Sequence, residues 1–64
     1  MIVQAYNDGE VHVFKGQIFL YSFTVRPPLK GDIDKHLKLL RMRRRTKWTD
    51  TSWGSTAEVG FVEK

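Results

Sequence analysis

The 64-residue chain contains no cysteine. Disulfides are therefore excluded, and so are zinc sites of the Cys₂His₂ and Cys₄ types. A domain of this length buries only about 60% of the surface its unfolded chain exposes. Without bridges or structural zinc, the remaining route to added stability is homo-oligomerisation or docking onto a partner. Long apolar runs are also missing, the longest being Ile18 to Tyr21. No positively charged leader precedes an apolar segment, so neither a signal peptide nor a membrane span is expected, and the cytoplasm is the expected location.

Catalytic and ligand-binding signatures are equally scarce. The five glycines are scattered and form no phosphate-cradling loop. Only two histidines occur, His12 and His36, and neither stands at a metal-ligand spacing. Asp32-Ile33-Asp34 brings two carboxylates close together, but helix capping and dipole complementation account for both. No serine or threonine has a recognisable base partner or sits in a nucleophile elbow. An enzyme is not expected, and no catalytic residue, metal ligand or cofactor is assigned.

The composition, 41% hydrophobic and 12% aromatic, is that of a folded chain rather than a disordered one. Its net charge of +4 is unevenly spread. Residues 1–25 hold Lys15 against Asp8 and Glu10, a net of −1. Residues 26–48 hold nine basic side chains against Asp32 and Asp34, a net of +7. Residues 49–64 hold Lys64 against Asp50, Glu58 and Glu63, a net of −2. The positive field is thus concentrated in the middle of the chain, where it bears on binding rather than on fold.

Patterning predicts a small α+β domain spanning residues 1–64. Residues 2–6 read as a strand, Asp8-Gly9 as a hairpin turn, and Val11–Phe14 as the returning strand. After a second reversal at Lys15-Gly16, residues 17–25 form the strongest strand, rich in β-branched and aromatic side chains. Strict alternation puts Phe19, Tyr21, Phe23 and Val25 on one face and Ile18, Leu20, Ser22 and Thr24 on the other. Arg26-Pro27-Pro28 ends this meander, because proline cannot donate to a ladder. Asp32 occupies an N-cap position and Asp34 the first turn, so a helix is expected from 33 to about 45.

Ile33, Leu37 and Leu40 fall on one stripe of that helix. Arg44 would come round onto the same stripe, which favours an end to the packed part near Met42. Residues 46–56 read as a loop. Residues 56–62 alternate again, with Ala57, Val59 and Phe61 on one side. The expected architecture is a three-stranded antiparallel meander plus a C-terminal strand packed on one helix, in the order β-β-β-α-β.

The run Arg41-Met42-Arg43-Arg44-Arg45-Thr46-Lys47 places five cations within seven residues. Cations near a helix C-terminus complement the dipole, but this density goes beyond what capping requires. A helix presenting Lys35, Lys38, Arg41, Arg43, Arg44, Arg45 and Lys47 would suit the phosphates of DNA or RNA. The aromatic stripe Phe19, Tyr21, Phe23 could stack unpaired bases. A domain this small needs those rings beneath its helix, so the stripe is read as core. Trp48 is likewise assigned to the core, and Trp53, with Met42, to a protein interface.

The expected function is therefore that of a small basic, non-catalytic nucleic-acid-binding protein. The alternative is a regulatory protein of phage or plasmid type that docks onto an acidic surface of a larger host protein and modulates it. A membrane partner is not expected, because the sheet claims the short apolar stripe of the helix.

Overall fold

The computed structural model describes residues 1–62; Glu63 and Lys64, counted above in the acidic C-terminal segment, lie outside them. The elements run β1 (Ile2–Tyr6), β2 (Glu10–Lys15), β3 (Ile18–Thr24), α1 (Lys30–Leu39), β4 (Met42–Arg44), β5 (Thr49–Asp50) and β6 (Gly54–Phe61). The α+β class and the N-terminal meander are as the sequence predicts, with two short strands added between helix and last strand. All pairings among the described residues are antiparallel, in the order β3-β2-β1-β6-β4, with β5 also on β6.

Period-two alternation divides the sheet into two faces. Val3 and Ala5 of β1, Val11 and Val13 of β2, and Ala57 and Val59 of β6 point to one side. Together with Ile33, Leu37 and Met42 they make the buried core. Every member of that core is aliphatic. Phe23, Val25, Leu40 and Trp48 pack around its margin, which bears out the reading of Trp48.

The helix departs from expectation at both ends. It begins at Lys30, one residue beyond the Pro27-Pro28 pair, and its N-cap is Leu29, which supplies no side-chain cap. Asp32 lies inside the first turn rather than at the cap, where its charge still favours the dipole. The C-terminal end comes at Leu39, not near residue 45. Leu40 closes the last turn by donating its N–H to the carbonyls of His36 and Leu37, and Arg41 donates to Lys38. Arg41 then adopts φ of +60°, the left-handed position that glycine commonly fills after a helix.

The chain reverses there into β4, and β6 pairs with it through Met42↔Phe61, Arg43↔Gly60 and Arg44↔Val59. The basic run is therefore an edge strand and the turn beyond it, not a helical ridge. Met42 is 1% exposed in the core and cannot serve as the interface residue the sequence suggested.

A second departure lies in β3. Its register against β2 shifts between Val13 and Phe14: Val13 opposes Tyr21, but Phe14 opposes Phe19. Leu20 is the extra residue of this bulge, and an extra residue re-aims the side chains beyond it. Tyr21 and Phe23 face the helix side with Val13 and Val11, as predicted, and the Phe23 ring stacks on His36 at 3.9 Å. Phe19 instead turns to the opposite face and is 51% exposed. The stripe Phe19, Tyr21, Phe23 is thus split between two faces, and only Phe23 packs against the core.

Candidate functional site

The face of the sheet away from the helix carries a contiguous aromatic surface. Gln4 and Tyr6 project there from β1, His12 and Phe14 from β2, and the bulge adds Phe19 from β3. Trp53, just before β6, folds over Tyr6 with ring centroids 4.8 Å apart. Tyr6 meets His12 edge-on at 5.1 Å, and His12 lies 5.3 Å from Phe19. Phe14 packs edge-to-face against Phe19, also at 5.3 Å. These separations are those of ordinary attractive aromatic pairs. The result is one continuous patch of five rings across three strands, with no helix over it.

Short polar contacts fix the patch in place. The Tyr6 hydroxyl donates to Gln4 Oε1 at 2.9 Å. The Asn7 amide donates to the Trp53 carbonyl at 2.9 Å, and Thr51 Oγ1 accepts from the amides of Trp53 and Gly54. His12 Nε2 lies 3.6 Å from Glu10.

The cations of the basic run do not form one surface. Lys35 and Lys38 are exposed on α1, on the far side of the molecule from the aromatic patch. Arg41 is exposed in the turn after the helix. Arg44 points to the helix side and is committed there: its Nε and Nη2 donate to the two Asp34 oxygens at 2.7 and 2.9 Å. Its Nη1 donates to the Thr46 carbonyl, and the guanidinium lies 5.2 Å above the Trp48 ring. The hydrogen bond to Asp34 holds the Arg44 pKa above its ordinary value, against a smaller opposing effect of burial. Arg44 is therefore a structural arginine.

Arg43 and Arg45 are different. Arg43 lies opposite Gly60 in the ladder and points to the aromatic face. The Arg45 guanidinium lies across Gly60, within 2.8 Å of where a side chain there would begin. Among the described residues neither is in an ion pair. Lys47 is exposed in the excursion that joins β4 to β5. That excursion spends residues 45–48 against residues 57 and 58 of β6.

Two shallow depressions of about 270 and 300 Å³ flank Ile2 on the same face. Gln4 and Phe14 line one; Thr46, Thr49, Thr56 and Glu58 line the other.

A third cleft of about 270 Å³ lies between the start of α1 and the sheet, lined by Lys30, Ile33, Asp50 and Ser55. Its polar groups are spent on one another: Lys30 Nζ and Ser55 Oγ donate to Asp50 Oδ1 at 3.0 and 2.9 Å. Among the described residues no group of three or more His, Asp or Glu side chains is placed to hold a metal ion.

The sequence singles out Trp53, as a protein-interface residue, and the arginines of the basic run, of which Arg44 is committed to Asp34; it does not single out Tyr6, His12 or Phe14. The available signal was the alternation of β1 and β2, whose second face carries Tyr6, His12 and Phe14. No helix of the described residues is long and apolar enough to cross a membrane. Set against known protein families, curated proteins and solved structures, the chain finds no match.

Proposed function

We propose that this protein is a non-catalytic binder of single-stranded nucleic acid, and that the strand lies across the open face of the sheet. The observation that carries this reading is the combination on one face of five contiguous rings with Arg43 and Arg45, neither of them ion-paired among the described residues. Bases stack on aromatic side chains whatever their identity, and arginine adds phosphate contacts and cation–π stacking. Duplex offers no free π-face, so a flat aromatic surface suits unpaired bases.

In this arrangement Phe19, Phe14, His12, Tyr6 and Trp53 receive bases, while Arg43, Arg45 and Lys47 follow phosphates along the β4 edge. Glu58 projects onto the same face from β6 and opposes phosphate there. Lys35 and Lys38 contribute only a diffuse positive field.

Titration with short oligothymidine or oligouridine, read through tryptophan fluorescence, tests the assignment; Trp53→Ala is followed by anisotropy of a labelled strand. Phe19→Ala and Trp53→Ala should each weaken binding by about 1–3 kcal/mol. Removing Arg43 and Arg45 together should lower the salt dependence by about two phosphate contacts. Glu58→Gln should tighten binding, and Lys35→Gln with Lys38→Gln should leave the affinity nearly unchanged. Preference for duplex over single strands, or full affinity in both aromatic variants, would rule the reading out.

A further inference from the structure

We infer that two copies of this chain associate through β3, joining their sheets into one about a two-fold axis at Ser22. The two edges of the sheet differ in kind. At one, β4 has three residues and β5 two, with a four-residue excursion between them and Arg43, Arg44, Arg45 and Lys47 along it. Short, interrupted, cationic strands are a common means of blocking edge pairing. At the other edge β3 runs for seven residues, Ile18–Thr24, with no charge and no proline. Among the described residues it pairs only with β2.

The helix side of β3 is also poorly covered. A helix is about 10 Å across, whereas five strands at about 4.8 Å spacing span roughly 19 Å. The helix packs towards β4, leaving Tyr21 37% exposed and Ile18 63% exposed.

The bulge restricts which self-pairing is allowed. Directly opposed residues of an antiparallel pair share a face. Pairing centred on Tyr21 would set Phe19, on the aromatic face, opposite Phe23, on the helix face, and fails. Centring on Ser22 sets Ser22 against Ser22, Tyr21 against Phe23 of the second copy, and Leu20 against Thr24. The two Tyr21–Phe23 pairs then lie on the helix side, where they cover the surface α1 leaves open. This register puts the basic β4 edges at opposite ends of the joined sheet, as far apart as the fold permits. It uses up β3 in both copies, so assembly closes at two. The aromatic faces become continuous across the seam, although the pairing does not depend on what they bind.

The absence of native cysteine allows a direct test. Residues facing each other across an antiparallel ladder have Cα atoms about 4.5–5.5 Å apart, within disulfide range. Ser22→Cys should therefore crosslink to a covalent dimer under mild oxidation at least about tenfold faster than Ser52→Cys, which is exposed in the β5–β6 turn. The unmodified protein should sediment at about twice its 7.5 kDa chain mass, and Tyr21→Lys should weaken association about tenfold or more. A 7.5 kDa species across the accessible concentration range overturns the inference. So does Ser22→Cys crosslinking no faster than Ser52→Cys.

Discussion

Two glycines on β6 show how differently the same residue can be constrained. At Gly54 a Cβ would lie 1.9 Å from the Ala5 carbonyl oxygen and 2.9 Å from the Tyr6 Cα. Those are backbone atoms of the paired β1 strand, and they can yield only if the ladder opens. Gly54→Ala should cost about 2–3 kcal/mol. That is a large share of the roughly 3–10 kcal/mol expected for a domain this size. At Gly60 the obstructing atoms are Nε, Cζ and Nη2 of Arg45, the far end of a flexible side chain. Gly60→Ala should stay within about 0.5 kcal/mol of wild type while displacing Arg45 from the sheet face. Urea denaturation of the two variants checks both values. Equal midpoints would contradict the close approach of β1 to β6 at Gly54.

Among the elements, the end of α1 is decided against local preference. Residues 35–47 are built largely of Leu, Lys, Arg and Met, all good helix formers. The chain nevertheless turns at Arg41, because continuing the helix would carry Met42 away from the core and leave β6 without β4. Holding a non-glycine residue in the left-handed region costs about 1–2 kcal/mol. Arg41→Gly should remove most of that cost, less the entropy glycine adds to the unfolded chain, for a net gain of about 0.5–1 kcal/mol. A thermal melt checks it: a lowered midpoint would mean that the Arg41 side chain makes contacts worth more than its backbone strain. If the aromatic face is the binding surface, the same variant should bind oligonucleotide almost as wild type does.

For the molecule as a whole, two ion pairs clamp helix to sheet. Lys30 reaches Asp50 from the first turn of α1, and Asp34 takes Arg44 from β4. The Asp50 carboxyl is held below its usual value of 3.8, first by the Lys30 hydrogen bond, then by the Ser55 hydroxyl and the Lys30 charge. A carboxyl depressed in the folded state adds stability that is present above its unfolded pKa and lost as pH falls through its folded one. Stability should therefore decline on acidification below about pH 5, and Asp50→Asn should flatten part of that decline. The Lys30–Asp50 pair is exposed to solvent, so the difference between the two proteins should shrink with added salt. Identical pH profiles for wild type and Asp50→Asn would show that this clamp does not contribute.

By itself the sequence determined the α+β class, the N-terminal hairpins, the end of the meander at Pro27-Pro28 and the apolar positions Ile33, Leu37, Ala57 and Val59. These follow from local periodicity and turn chemistry, which need no knowledge of distant partners. It also hinted at the helix end, since Arg44 did not suit the stripe. Only the tertiary structure decided that the basic run is an edge strand, that Met42 is core, that Arg44 is spent on Asp34, and that Phe19 leaves the stripe of Tyr21 and Phe23. Each of these depends on a contact made far along the chain: β4 with β6, Arg44 with Asp34, the β2–β3 register with its extra residue. Such contacts can outweigh a local preference of a few tenths of a kcal/mol per residue.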